Sequence, residues 1–323
     1  MENKVMPVTI LTGFLGAGKT TLLNQLLKKY INTNFLIIEN EAGNINIDGQ
    51  LIGKSNARNQ VYELTNGCIC CSLNTELGTL LNSIIMSKVH YDHVLIEATG
   101  MADPGQIIEM FSGQRVQRYF ELNSVVGMVD ADTFLSRVDE FAETSRQVSL
   151  SDQLIINKTD LVDDAKLQVV EQRISAINPF ARIEKASFGK LQDNGILNSK
   201  MFSADKLEKS ITDFSTLTLA QVDNKHAHQI QTISLSIPGR YNMEKVAMWF
   251  EDFLFLNAHN VLRIKAILCI NDMKHKMILQ SVGYTYHTTQ GSAWQEGEAE
   301  QSKVVIIGTN LNEQSINEEL ASL

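Results

Sequence analysis

Residues 13–20 read Gly-Phe-Leu-Gly-Ala-Gly-Lys-Thr, between the apolar run Val8–Leu11 and the helical-looking stretch Thr21–Tyr30. A glycine-rich loop that ends a strand and opens a helix is the setting in which G-x-x-x-x-G-K-[ST] cradles phosphate. Successive backbone N–H groups from Gly13 through Gly16, Ala17 and Gly18 to Lys19 can wrap a β-phosphate, because glycine tolerates the dihedrals and lets the chain approach closely. In such a loop Lys19 reaches the β- and γ-phosphates, and the Thr20 hydroxyl ligates Mg²⁺.

Outward from this loop, short apolar runs alternate with amphipathic stretches. Val8–Leu11, Phe35–Ile38, Val94–Ile96, Ser124–Val129 and Leu154–Ile156 read as strands, and Gly18–Tyr30, Thr75–Lys88, Gly105–Phe111 and Asp163–Ile177 as helices. That rhythm predicts an α/β fold, a P-loop NTPase parallel sheet with helices on both faces, whose ligands bind at the strands' carboxyl ends. Polar composition over Ser203–His228 suggests a linker or a frayed helix, which predicts a nucleotide-binding domain at 1–205, a linker at 206–228 and a second domain at 229–323. In that second domain Thr232–Ile237, Val261–Ile270, Lys276–Tyr286 and Val304–Gly308 read as strands, and Met243–Leu256 and Glu313–Leu320 as helices. The expectation is a smaller α+β domain of one sheet and two helices.

The 323-residue chain is 44% hydrophobic, enough for buried cores, and carries a formal net charge of −9. No basic field exists to attract nucleic acid or anionic lipid. The opening Met1-Glu2-Asn3-Lys4 runs straight into a strand, and no stretch reaches about 18 apolar residues, so a cytoplasmic protein without a membrane span is expected. Three of the four cysteines crowd into Cys68, Cys70 and Cys71, which is no disulfide framework.

Asn157-Lys158-Thr159-Asp160 follows the strand Leu154–Ile156 and has the form N-K-x-D. A carboxylate at Asp160 can accept from N1–H and the exocyclic amine of guanine, whereas adenine leaves it unpaired, and an unpaired buried polar group gives strong rejection. Asn157 is expected on the other base edge, with the stem of Lys158 packed on the ring. GTP is therefore the expected nucleotide.

Val94-Leu95-Ile96-Glu97-Ala98-Thr99-Gly100 ends a strand in an acid and a glycine. Glu97 sits where a nucleotide hydrolase holds the Mg²⁺ water shell or orients the attacking water, and Gly100 can offer its N–H to the γ-phosphate. Met101-Ala102-Asp103-Pro104 reads as a segment that moves on hydrolysis. No arginine is placed by the sequence as a finger.

In Asn66-Gly67-Cys68-Ile69-Cys70-Cys71-Ser72, Cys68 and Cys70 fall on one side of an extended segment and Cys71 near a helix start, which favours thiolate. Thiolates bind Zn²⁺ or another borderline ion, and three are fewer than a closed structural zinc site holds, which suits transfer. A redox dithiol and inert buried thiols are the competing readings. Glu39 and Glu41, in Glu39-Asn40-Glu41, are candidate oxygen donors, and His226 and His228 either capture metal or are merely solvated.

Taken in order, Gly13 to Thr21, Glu39-Asn40-Glu41, Gly67 to Cys71, Glu97 to Pro104 and Asn157 to Asp160 resemble the CobW-like P-loop GTPases. Leu262-Arg263-Ile264-Lys265, Gln280-Ser281-Val282, Trp294 and Val305 to Gly308 are similar to that family's C-terminal domain. The resemblance implies a GTPase that binds a transition metal at the Cys-x-Cys-Cys motif and couples GTP state to metal delivery into client metalloproteins. It carries Lys19, Thr20 and Thr21 over as phosphate and Mg²⁺ residues, Cys68, Cys70 and Cys71 as the metal motif, and Asn157, Lys158 and Asp160 as guanine readers. Two departures stand out. The family's Glu-Phe-Gly-Glu appears as Glu41-Ala42-Gly43-Asn44, and its His-rich tract is reduced to His226 and His228. A GTP-binding metal sensor or store with negligible turnover is the rival reading, an ATP-dependent kinase a second, and homo-oligomerisation stays open.

Overall fold

The first strand explains the sheet. β1 (Met6–Gly13) has Val8, Ile10 and Leu11 at 0% exposure, so side chains on both of its faces are buried, as in the middle of a parallel sheet. The computed structural model describes residues 5–40, 59–64, 72–87, 89–111, 113–191, 195–199, 201, 203–215 and 230–323. After β1 come α1 (Lys19–Lys29), β2 (Phe35–Asn40), β3 (Gln60–Leu64), α2 (Ser72–Ser87), β4 (His93–Glu97), α3 (Pro104–Met110) and α4 (Gln114–Gln117). β5 (Phe120–Asp130), α5 (Phe134–Glu140), α6 (Ala142–Leu150), β6 (Gln153–Asn157), α7 (Asp164–Ile177) and β7 (Arg182–Lys185) complete the first half. The strands pair in parallel in the order β3-β2-β4-β1-β5-β6-β7.

Leu22, Leu23, Leu26 and Leu27 of α1 bury one helical face against Leu11, Phe35, Ile37 and Leu95 of the sheet. The alternate residues Ile10, Leu36, Ile38 and Ile96 point the other way and are equally buried, so the opposite face is covered too. Parallel pairing brings Gly13, Glu39, Glu97, Asp130 and Asn157 to one carboxyl edge of the sheet. That edge is where the site lies.

The chain divides into two compact units: the described residues within 1–173 and 181–200, and those within 174–180 and 201–323. The second unit contains α8 (Ala204–Ser215), β8 (Ile230–Pro238), α9 (Met243–Leu256), β9 (Val261–Leu268), β10 (His275–Val282), β11 (Thr285–Ala293), β12 (Gln301–Thr309) and α10 (Glu313–Ala321). Its antiparallel sheet has the order β11-β10-β9-β12-β8. α9 and α10 pack on one face through Val246, Phe250, Ile316 and Leu320, and α8 packs on the other through Leu207 and Ile211. Two expectations need correction. Residues 206–215, expected as a linker or a frayed helix, form a regular helix rather than a linker, because a polar stretch with one apolar stripe at helical spacing still buries that stripe. The expected strand Lys276–Tyr286 is two strands, broken at Gly283, which turns with φ 55°.

Beneath the sheet's centre His93 is buried against Thr9, its Nε2 lying 2.9 Å from the Thr9 Oγ1, and Asn123 donates to the same hydroxyl. Burial pushes the imidazole from 6.5 down to about 4. The folded state thus holds the neutral ring, and the unfolded chain takes up the proton first. Stability from this site is complete above the unfolded value near 6.5 and is lost as pH falls toward 4, by about 3 kcal/mol in total. The expected result is that His93→Gln flattens the drop in melting temperature between those pH values relative to the parent chain. Parallel melting curves for the two proteins across the same range would count against it.

Candidate nucleotide site

Gly13, Gly16 and Gly18 take φ values of 134°, 77° and 107°, conformations that L side chains rarely adopt. A Cβ on Gly18 would also stand 2.4 Å from the Asn157 amide nitrogen. The loop therefore has no room for another residue there. Lys19 is 8% exposed, and its Nζ donates to the Gly13 carbonyl at 2.8 Å and to that of Phe14 at 3.3 Å, which holds the ammonium inside the loop. Thr20 donates its hydroxyl to Glu97 Oε1 at 2.9 Å.

The Thr20 hydroxyl and the Glu97 carboxylate are a pair of hard oxygen donors converging beside the phosphate loop. Such a donor set fits Mg²⁺, which takes one or two protein oxygens and keeps water and phosphate for the rest. Glu97 lies in register with Leu11 on one side and Glu39 on the other. Residues directly opposite in paired strands share a face, so Glu39, 3% exposed, lies on the α1 side beside Glu97.

Gly100 approaches the loop so closely that a Cβ would meet the Leu15 backbone nitrogen at 2.6 Å. Its carbonyl accepts from Gln147 Nε2 at 3.0 Å, and the Ala102 carbonyl accepts from the same amide at 3.2 Å. Arg146 pairs with Asp103 at 2.9 Å, and Asp103 in turn caps α3 by accepting from Gly105 N. Burial, with the Asp103 charge second and Arg146 opposing, raises the Glu109 carboxyl above its ordinary range. The sequence reading missed Gln147 and Arg146. A buried glutamine in the polar run Glu143 to Gln147 looks the same in sequence as a solvated one. Arg137, which no motif marks, stacks its guanidinium 5.1 Å from the Phe14 ring on the loop's flank.

On the base side one side chain also braces the loop. Asn157 is 2% exposed, its amide donates to the Ala17 carbonyl at 2.9 Å, and its oxygen accepts from Gly189 N at 3.1 Å. It ties the phosphate loop to the loop after β7, a role the sequence reading did not include. Lys158 adopts a left-handed φ of 60° and sends its ammonium to Asp130 at 2.8 Å, while Asp160 stays exposed. Thr159 binds the Ala186 carbonyl, closing the same corner.

Glu41, Cys68, Cys70, Cys71, His226 and His228 lie outside the described residues. Among the described residues no group of three or more His, Cys, Asp or Glu side chains is placed to hold a metal ion. Among them, too, no helix is long and apolar enough to cross a membrane.

A parallel sheet with a glycine-rich loop after its central strand, a buried loop lysine and a threonine held by a strand-end acid defines a P-loop nucleotide hydrolase. Residues 7–185 match the family model described as CobW/HypB/UreG, nucleotide-binding domain, and residues 230–323 match that of the cobalamin synthesis protein cobW C-terminal domain. The chain belongs to the CobW/HypB/UreG family of P-loop GTPases. It is 33% identical to the zinc chaperone YjiA of Escherichia coli K12 over 98% of each chain. It is also 27% identical to the zinc chaperone CobW of Pseudomonas aeruginosa, over 98% of this chain and 90% of the relative. The crystal structure of Zn(II)-bound YjiA GTPase from E. coli superposes with a TM-score of 0.75 at 26% identity, covering 99% of each chain.

Proposed function

We propose that this chain hydrolyses GTP in a Mg²⁺-dependent reaction and uses the nucleotide cycle to bind zinc as cargo and release it to client metalloproteins. One observation carries the reading. Glu39, a candidate cargo ligand, stands in register beside Glu97, the acid that holds the loop threonine. Neighbouring strands lie about 4.8 Å apart, so a change at either carboxylate acts on the other. Relatives named zinc chaperones support the cargo, and Cys68, Cys70 and Cys71 supply the soft donors.

In the reaction, Lys19 would hold the β- and γ-phosphates, Thr20 and Glu97 would hold Mg²⁺, and Gly100 would offer its N–H to the γ-phosphate. Mg²⁺ there would supply charge neutralisation at the transferring phosphoryl group. Glu97 orients the attacking water from the strand end, while Gln147 fixes the position of the Gly100–Ala102 segment through its two carbonyl contacts. Asp160 selects guanine over adenine, and Lys158 covers the ring.

Single-turnover hydrolysis of GTP and ATP, with and without stoichiometric zinc, tests this reading. GTP is expected to turn over and ATP not, with zinc changing the GTP rate in the parent chain and having no effect once Cys68, Cys70 and Cys71 are serine. Negligible turnover under every condition would favour a store or sensor instead. Asp160→Asn is expected to weaken GTP binding about a hundredfold without improving ATP, because a carboxylate pairing with two guanine donors contributes about 3 kcal/mol. A competition titration with fluorescent GTP reads this directly, and a loss under threefold would remove Asp160 from the base site.

A further inference from the structure

Outside the nucleotide site, a groove of about 410 Å³ runs between α9 and α10 on the second unit. Trp249, Asp252, Phe253 and Leu256 line its α9 wall at i, i+3, i+4 and i+7, the spacing by which one helix face receives another. Leu256 of this wall is 77% exposed, and Met248 and Phe255, beside the groove lining on the same helix, are 63% and 81% exposed. The walls are held in place. Trp249 stacks on Phe253 at 4.6 Å, its Nε1 donates to Glu319 of α10 at 2.9 Å, and Ser315 donates to the same carboxylate.

Asp252 and Glu319, both acids, are the ionisable residues of the lining; elsewhere on the same helix Glu244, Lys245 and Glu251 are exposed, and Glu251 accepts from the Tyr286 hydroxyl. Glu319 is occupied by Trp249 and Ser315, whereas Asp252 makes no hydrogen bond or ion pair among the described residues. An exposed carboxylate beside apolar anchor sites matches a cation on the incoming surface. A second copy of this chain presents the same acidic lining and a net charge of −9, and an anionic bilayer is repelled in the same way.

We infer that the α9–α10 groove is a docking site for an amphipathic helix of a partner protein, with apolar anchors in the groove and a lysine or arginine on Asp252. This inference does not depend on the metal reading. A full-chain Trp294→Phe background leaves Trp249 as the reporter. The probe is a synthetic peptide of about 16 residues with leucines at i, i+3, i+4 and i+7 and flanking arginines. A matched peptide carries glutamates in place of the arginines.

The expected result is a saturable shift of Trp249 emission with the arginine peptide and none with the glutamate peptide. Asp252→Lys combined with Leu256→Glu weakens binding at least tenfold, while GTP turnover and the melting temperature stay at the parent values. Both substituted side chains are exposed, so folding is not at stake. Equal binding of both peptides, binding by the double variant within twofold of the parent, or no saturable binding would overturn the proposal. Sedimentation showing a dimer that Leu256→Glu dissolves would also overturn it and assign the groove to self-association.

Discussion

Lys19→Ala is expected to lower kcat/KM for GTP about a thousandfold, a loss of about 4 kcal/mol in transition-state stabilisation. The lysine acts twice. Its ammonium, buried and held by the Gly13 and Phe14 carbonyls, keeps the loop's backbone N–H groups turned inward. In the proposed reaction the same charge would stand at the bridging region of the β- and γ-phosphates, where charge changes most during transfer. Alanine removes the charge and leaves the two loop carbonyls without their donor, so the expected loss appears in kcat more than in KM. Phosphate release in single-turnover mixing measures it, with a melting curve to separate a lost charge from a lost fold. A decrease of under tenfold with an intact fold would contradict the assignment of Lys19.

Asn157→Asp is expected to cost nearly as much, through a different link in the structure. The asparagine is a tether between the phosphate loop and the Ser187–Lys190 corner, giving one hydrogen bond to Ala17 and taking one from Gly189. A carboxylate can still accept from Gly189 but cannot donate to Ala17, and it places negative charge against the Ala17 carbonyl of the phosphate loop. The buried mismatch is worth about 3 kcal/mol, so GTP affinity should fall on the order of a hundredfold. Asn157→Ala loses both bonds without the added charge and is expected to fall between the parent and the aspartate. Equilibrium titration of GTP into the three proteins orders them. An aspartate variant that binds as well as the alanine one would show that the tether, rather than charge, is what matters.

How much of this was legible in the sequence depends on how local each signal is. The phosphate loop could be read because its glycines, lysine and threonine are consecutive and sit between recognisable elements. Glu97 and the Asn157–Asp160 run could be read because each ends an apolar strand. Asn157's tethering role could not, since Ala17 is 140 positions away and meets it only once β5 pairs with both β1 and β6. β3 and β7 escaped notice as short edge strands whose faces are only partly buried, so the alternation that marks a strand is weak. β11, Thr285 to Ala293, is polar and largely exposed and reads as loop until its pairing with β10 is seen. α8 was hidden by its own polarity, because Leu207 and Ile211 bury their side chains against the sheet from within a stretch rich in charged and hydroxyl residues.

The proposed function rests on an energetic link between the guanine nucleotide and the zinc held by the cysteine motif. Calorimetric titration of a non-hydrolysable GTP analogue into zinc-free and zinc-loaded protein measures that link, and the reverse titration of zinc must return the same factor. The account expects the two nucleotide affinities to differ at least fivefold, with the difference abolished in the Cys68, Cys70, Cys71 serine variant. Equal affinities in the two states of the parent chain would contradict it.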